Sequence, residues 1–119
     1  MAHELHLVLA AASTMAVLLV ALDGLRRALR GVPAGPRSAR LFDLSLVLLV
    51  ITSASGLGLL VGGGRPRELY HLMYGGFALM TLPVVGAFGP RARDRGYGAA
   101  TAAGALFALV VIARLFATG

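Results

Sequence analysis

The chain contains no cysteine and no lysine, and charged residues of either sign are scarce. Without cysteine there is neither a disulfide framework nor a thiolate metal site, so a metal or haem iron would need histidine, methionine, tyrosine or carboxylate ligands. Only 13% of the residues are charged and 58% are hydrophobic, whereas an ordinary soluble domain is about a quarter charged and about half apolar. A chain of this composition cannot cover its apolar surface with polar groups, which excludes an ordinary water-soluble fold.

The apolar residues stand in four long stretches that contain no Arg, Asp or Glu. Each stretch has about 17 to 20 residues, the length of helix that crosses about 30 Å of hydrocarbon. Strands are excluded because a sheet edge exposed to lipid has no hydrogen-bond partners. We therefore predict an all-α, integral membrane four-helix bundle that forms a single transmembrane domain over residues 1–119, with spans at residues 5–22, 44–61, 69–88 and 97–113.

All cationic residues are arginines, and they exceed the acidic residues by six. Eight of the eleven lie between spans one and two or between spans three and four, so both of these segments are expected on the cytoplasmic side. The distribution thus indicates membrane topology and contact with the lipid bilayer, and no nucleic acid partner. We predict a multi-pass protein of the bacterial inner (plasma) membrane with both termini on the periplasmic or extracellular face. The leader Met-Ala-His-Glu-Leu-His lacks the positive charge of a signal peptide, so the first span is expected to be retained.

A weak internal repeat occurs at an offset of 65 residues, which places His6 over His71, Met15 over Met80 and Arg26 over Arg91. If it reflects a duplicated helical hairpin, spans one and two repeat as spans three and four in the same orientation. His6 and His71 would then face each other across the bundle. Shared apolar composition is the alternative source of the match.

The predicted topology brings every histidine to the outer end of the bundle. His6 and His71 lie about one or two turns inside the membrane surface, where ionisable side chains normally face the bundle interior or a polar cavity. The residues one and two turns deeper are small, which predicts a slot between two opposed imidazoles. They are Ala10 and Ser13 in span one, and Gly75 and Ala78 in span three. A haem is a flat apolar plate that needs axial ligands and clearance on both faces, so we predict haem b bound by His6 and His71.

Three arginines at the same end could serve the haem propionates. Arg65 and Arg67 precede span three, and Arg114 lies at the end of span four. A guanidinium group forms forked hydrogen bonds with a carboxylate. The predicted cofactor site therefore comprises His6, His71, Gly75 and these arginines, with spans one and three diagonal or closely facing.

A second constellation competes for the same histidines. Glu68 and His71 are three residues apart, as are His3 and His6, and Glu4 lies between the latter two. Side chains at this spacing share one helix face, so together they could hold a single Cu or Zn ion. The alternative for each histidine is an interfacial residue that is amphipathic enough to lie among lipid headgroups, and this interpretation is favoured for His3.

The sequence contains no pattern that predicts independent catalysis. There is no nucleophile-and-base arrangement and no dinucleotide fingerprint, and Gly62-Gly63-Gly64 is followed by Arg-Pro rather than by Lys and Ser or Thr. Asp23 and Asp43 stand close to arginines at inner helix ends, where ion pairing is the ordinary interpretation.

The second half of the chain resembles small four-span bacterial membrane proteins to which no activity is attached. The resemblance is carried by Arg65-Pro66, the run His71-Leu72-Met73-Tyr74-Gly75, the pair Leu82-Pro83 and the closing segment 114–119. More loosely, histidines on two helices of a four-helix membrane bundle resemble those of b-type cytochromes. Several such cytochromes carry two histidine pairs where this chain has one, so the resemblance does not imply transmembrane electron transfer by this chain alone.

The function predicted first is that of a haem b-binding membrane protein with one haem near the outer face. It would serve electron transfer or act as a small subunit of a respiratory or photosynthetic complex. A cofactor-free structural subunit of a larger membrane complex is the alternative, followed by a Cu- or Zn-binding membrane protein. Other membrane subunits or a second copy of the chain are the protein partners that these functions imply.

Overall fold

The computed structural model describes residues 1–32, 35–65, 69–89 and 96–118, and its secondary structure is entirely α-helical over these ranges. The helices are α1 (Ala2–Arg30), α2 (Pro36–Val61), α3 (Tyr70–Phe88) and α4 (Tyr97–Thr118). All four are long and apolar enough to cross a membrane. The prediction of an all-α chain with four candidate membrane spans is confirmed, and the protein has the architecture of a multi-pass membrane protein.

Three of the helices extend well past the predicted spans. α1 continues beyond Leu22 to Arg30, α2 begins at Pro36 rather than at Leu44, and α4 runs on to Thr118. The absence of charge delimits the part of a helix that can lie in hydrocarbon, but Ala, Leu and Arg are strong helix formers and continue the helix beyond it. α1 stops at Gly31, whose φ of 63° is the left-handed conformation typical of a helix C-terminus. α2 starts with proline at its first position, where the missing N–H costs nothing.

The helices are arranged in a ring in which each neighbour runs antiparallel to the next. α1 packs closely on α2 and α4, and α3 packs closely on α4, whereas α2 and α3 share few contacts. Within the described ranges the backbones of α1 and α3 do not approach each other, so these two helices are diagonal. This is one of the two arrangements predicted for the helices that carry His6 and His71.

Glycines set the closest approach between α1 and α4. A Cβ atom at Gly24 would lie 2.7 Å from the carbonyl oxygen of Gly98, and one at Gly98 would lie 2.8 Å from the carbonyl oxygen of Gly24. The two backbones are therefore in direct contact, which is how small residues promote helix association in membranes. Gly104 plays a similar part toward α3, where its missing Cβ leaves room for the side chain of Val85.

The buried core lies between these contacts and is built from small and branched side chains. Val17 of α1, Leu82 of α3, and Ala105 and Ala108 of α4 are completely buried. Most other large apolar side chains point outward, including Leu57, Phe77 and Val110, each more than half exposed. An exterior of this kind suits lipid as the surrounding solvent.

The bundle has two chemically distinct ends. The histidine end is formed by the beginnings of α1 and α3 and the last turns of α2 and α4, and carries His3, His6 and His71. The arginine end is formed by the last turns of α1 and α3 and the beginnings of α2 and α4, and carries Arg26, Arg27, Arg30, Arg37 and Arg40. Arg91, Arg93 and Arg95 lie outside the described residues.

The packing agrees with the predicted repeat within each hairpin but not between the hairpins. α1 and α3 run parallel, and each packs along the helix that follows it. Between hairpins, α1 meets α4 through Gly24 and Gly98, whereas α3 meets α2 only sparsely. With an offset of 65 residues, Gly24 corresponds to Gly89, but Gly98 corresponds to Pro33. The glycine pair is therefore not repeated in the sequence. A pseudo-twofold axis relating the two hairpins would need a second close interface, which the described parts of α2 and α3 do not form.

Candidate functional site

His6 and His71 both lie at the histidine end on diagonal helices, and both are half-buried. His3 is exposed near the start of α1, and Tyr74, one turn deeper than His71 on α3, packs against the apolar core. The geometry around the two half-buried rings therefore decides what this end can do.

The His6 ring is held by α2. Its Nδ1 atom lies 2.7 Å from the hydroxyl oxygen of Ser55, and the Ser55 hydroxyl donates its only proton to the carbonyl oxygen of Thr52 at 2.7 Å. With that bond in place Ser55 accepts from the ring, which corresponds to the tautomer of His6 that is protonated at Nδ1. In the neutral ring Nε2 is then the basic nitrogen.

A second polar contact one level deeper fixes the same pair of helices. The hydroxyl groups of Ser13 and Thr52 are 2.7 Å apart, and Thr52 donates to the carbonyl oxygen of Leu48 at 2.7 Å. Ser13 is therefore the donor to Thr52, and its hydroxyl is almost completely buried. Thr52 is thus bonded through both its hydroxyl and its carbonyl oxygen, which positions the turn of α2 that carries Ser55.

Gly56 forms the surface of α2 against which the His6 ring lies. A Cβ atom there would be 3.0 Å from Cε1 of His6 and 3.6 Å from its Nδ1. Any side chain at this position would press on the ring. The missing Cβ of Gly56 therefore makes room for the imidazole ring, as the missing Cβ atoms of Gly24 and Gly98 make room for a helix backbone.

The His71 ring is held by α4 in a comparable way. Its Nδ1 lies 3.1 Å from the carbonyl oxygen of Leu115, an atom that can only accept. Thr118, whose hydroxyl donates to the carbonyl oxygen of Arg114 at 2.9 Å, offers Nδ1 a second acceptor at 3.4 Å. Nδ1 of His71 is therefore also protonated, and Nε2 is again the basic nitrogen.

The two histidines thus share one arrangement. Each is anchored at Nδ1 by an acceptor on the helix that follows its own helix in sequence, and each keeps Nε2 as a potential ligand atom. Histidines that bind metals usually donate their other ring N–H to a carbonyl, carboxylate or hydroxyl oxygen, which fixes the tautomer and the ring orientation. Nε2 of a neutral imidazole anchored in this way is a donor of the kind that can bind haem iron.

The small residues beneath the histidines were expected to leave an open slot. In the structure they pack against neighbouring helices instead. Ser13 is bonded to α2, Ala78 belongs to the buried core, and Gly75 faces α4, where its Cβ would be 4.0 Å from Cδ2 of Leu115. The reason is that helix pairs close on their small residues wherever these occur. The side between α2 and α3 is the most sparsely packed of the four helix interfaces.

An open groove of about 500 Å³ at this end lies between the start of α1 and the last turn of α2. Its walls are apolar apart from Ser55, and its floor is formed by glycines. The lining residues are Ala2, Leu5, Ser55, Gly58, Leu59, Gly62 and Gly64. The groove borders the hydrogen-bond partner of His6, but it lies on the α1–α2 side rather than toward α3.

The remaining predicted site residues are exposed or fall outside the described ranges. Glu4 of α1, Arg65 after α2 and Arg114 of α4 are exposed, and Arg67 and Glu68 lie outside the described residues. Among the residues that the structure describes, no three histidine or carboxylate side chains come close enough together to hold a metal ion. The mononuclear Cu or Zn site remains a prediction in which Glu68 would have to take part.

At the arginine end, Asp23 forms the expected ion pair with Arg27, at 3.3 Å. Asp23 also accepts a hydrogen bond from Ser38 of α2 at 2.6 Å. This contact joins α1 to the first turn of α2. Asp43 is exposed on α2.

Ser55, Thr52, Leu115 and Thr118 were not among the predicted site residues. Leu115 acts through its backbone carbonyl oxygen, which carries no signal in the sequence. Ser55 and Thr52 did carry a signal, since hydroxyl residues inside a membrane span often form hydrogen bonds between helices.

No protein-family model, no curated protein and no solved structure matches the chain.

Proposed function

We propose that the protein binds one haem b at the histidine end, where His6 and His71 would hold its iron through Nε2. The observation that carries this proposal is the common anchoring of the two rings. Each Nδ1 proton is donated to a fixed acceptor, at 2.7 Å for His6 and 3.1 Å for His71. Both rings therefore keep a basic nitrogen that makes no hydrogen bond to the described residues.

The placement of the helices supports the same proposal. α1 and α3 are diagonal, so a flat apolar group between His6 and His71 would lie across the bundle rather than beside it. The few contacts between α2 and α3 offer the side on which the bundle can admit such a group. Bound haem b supplies one-electron redox chemistry through its iron. The chain would then act in electron transfer or as a small subunit of a respiratory or photosynthetic complex, as the resemblance to b-type cytochromes implies.

The exposed arginines at this end suit the propionates. Arg65 and Arg114 are both exposed, and neither forms an ion pair with a described residue. A guanidinium group that is free at the membrane surface can bind a carboxylate through two parallel hydrogen bonds. We place Arg67 in the same role on the basis of its sequence position alone.

We further propose that the histidine end lies on the periplasmic or extracellular side of the bacterial plasma membrane, together with both termini. The support is the excess of arginines in the segments between spans one and two and between spans three and four. Reporter fusions at residue 1, within residues 31–35 and at residue 119 test this orientation. A cytoplasmic signal from either terminus would overturn it.

The direct test of haem binding is the visible absorption spectrum of the protein, purified from cells supplied with a haem precursor. We expect a Soret band and, after reduction, sharp α and β bands, as two nitrogen ligands on the iron would give. A spectrum of the same form in the His6→Ala/His71→Ala double variant would show that the two rings are not the ligands. A colourless wild-type protein that also fails to bind added haem would overturn the proposal.

The same hydrogen bonds favour a second candidate function, a cofactor-free structural subunit of a larger membrane complex. The bond from His6 to Ser55 ties α1 to α2, and the bond from His71 to Leu115 ties α3 to α4. In that case the histidines would serve helix packing alone. The double variant would then melt at a lower temperature than the wild type in the complete absence of haem.

A further inference from the structure

At the arginine end, the α1–α2 hairpin extends beyond the described ends of α3 and α4. Gly24 contacts Gly98, which is the second residue of α4. Residues 25–30 therefore run roughly 9 Å past the level of Gly98 at 1.5 Å per residue. On the other helix, Phe42 lies against Gly86 near the end of α3, so the first turn of α2 projects as well.

The projecting part is strongly cationic. Four of its arginines are exposed and form no ion pair with a described residue, namely Arg26, Arg30, Arg37 and Arg40. The nearby carboxylate of Asp23 is already bonded to Arg27 and Ser38. The hydrogen bond between Asp23 and Ser38 also holds Arg26 and Arg37 at a similar level, since each lies within one turn of it.

Exposed apolar side chains accompany these arginines. Leu29 is 80% exposed and Leu25 is 45% exposed, both on the same helical turns as Arg26 and Arg30. The carboxylates of a soluble acidic protein could pair with the arginines, but they would not cover the exposed leucine side chains beside them. The boundary between headgroups and acyl chains offers phosphate and hydrocarbon side by side, which is where arginine-rich amphipathic helices lie.

We propose that this projecting hairpin end binds an anionic phospholipid, with the headgroup phosphate held by Arg26, Arg30 and Arg37 and the acyl chains lying along Leu25 and Leu29. Guanidinium groups bind phosphate oxygens in pairs, which suits a phosphate shared between two helices. The hairpin thereby selects the lipid that surrounds it, independently of any chemistry at the histidine end.

The test compares lipids retained by detergent-purified protein in native mass spectrometry, together with the melting temperature in nanodiscs of phosphatidylglycerol or phosphatidylcholine. We expect the wild type to retain phosphatidylglycerol in preference to phosphatidylcholine and to melt higher in its presence. In the Arg26→Gln/Arg30→Gln/Arg37→Gln variant the preference should fall on the order of a hundredfold, at roughly fivefold per arginine. The variant with lysine at the three positions keeps the charge and should retain most of the preference.

The matched control is Arg65→Gln/Arg114→Gln, which removes two exposed arginines from the histidine end and should leave the preference unchanged. An equal loss in this control would show a non-specific response to net charge and would overturn the proposal. Equal retention of both lipids by the wild type would also overturn it and leave an acidic protein as the occupant to consider. A rise in melting temperature with inorganic phosphate alone would show an anion site that does not need lipid.

Discussion

Nδ1 of His6 on α1 and the hydroxyl oxygen of Ser55 on α2 are 2.7 Å apart. Because the Ser55 hydroxyl is committed to the carbonyl oxygen of Thr52, this contact fixes the tautomer of the ring as well as its position. The Ser55→Ala variant should lower haem affinity by roughly 10- to 100-fold, the usual effect of losing a partner behind a ligating histidine. Haem titration followed at the Soret band measures it. Ser53→Ala is the control, because the Ser53 hydroxyl bonds to no described residue.

His71 should be the least replaceable residue of the site. Its ring reaches α4 through the carbonyl oxygen of Leu115 at 3.1 Å, and no other described histidine lies on α3 or α4 to take its place. We expect His71→Ala to abolish haem binding or to weaken it severely. His3→Ala should have little effect, since His3 is exposed at the start of α1. Comparable losses in the two variants would argue against axial ligation by His71.

Gly56 and Gly58 provide a matched pair on one helix. A Cβ at Gly56 would be 3.0 Å from Cε1 of His6, whereas one at Gly58 would meet nothing within 4 Å. Gly56→Val should therefore displace the ring from Ser55, and Gly58→Val should not. The readouts are haem affinity and the histidine ring ¹⁵N signals by NMR. Identical signals for His6 in both variants would contradict the packing described for Gly56.

The contact between Gly24 and Gly98 should be the least tolerant position for added volume in the bundle. An alanine at position 24 would place its Cβ 2.7 Å from a backbone oxygen, so the helices must move apart. We expect Gly24→Ala and Gly98→Ala each to destabilise the fold by about 1–3 kcal/mol, visible as a lower melting temperature in detergent. Gly76→Ala, with open space around it, should leave the melting temperature unchanged or raise it slightly because alanine favours helix.

The number, order and approximate placement of the helices could be predicted from the sequence because hydrocarbon thickness fixes how long a charge-free stretch must be. The diagonal placement of α1 and α3 was one of the two arrangements predicted from the sequence. The ends of α1 and α2 were not, since a helix continues through arginines that the membrane core would reject. The roles of Gly56 and Gly58 could not be told apart in the sequence, because a glycine does not indicate which side of a helix meets a neighbour.

The candidate site was likewise predictable only in part. His6 and His71 stood out in the sequence because ionisable residues are rare in this chain. Their anchors could not be inferred, since Leu115 acts through its backbone and the choice between Ser53 and Ser55 depends on the rotation of α2. The slot that was expected beneath the rings is not formed because Gly75 faces α4, and the sequence does not indicate this direction. Rotation of a nearly uniform apolar helix is set by tertiary packing, and its own residues specify it weakly.

The ring of contacts has a consequence for the order in which the protein is made. α1 and α2 can pair as soon as both have left the ribosome, because their joining contacts, from His6–Ser55 to Asp23–Ser38, lie within the first half of the chain. α3 finds only the sparse surface of α2 when it emerges, since its main partner is α4. α4 therefore completes two interfaces at once when it emerges, and a ribosome that stalls before Tyr97 leaves α3 without its principal neighbour.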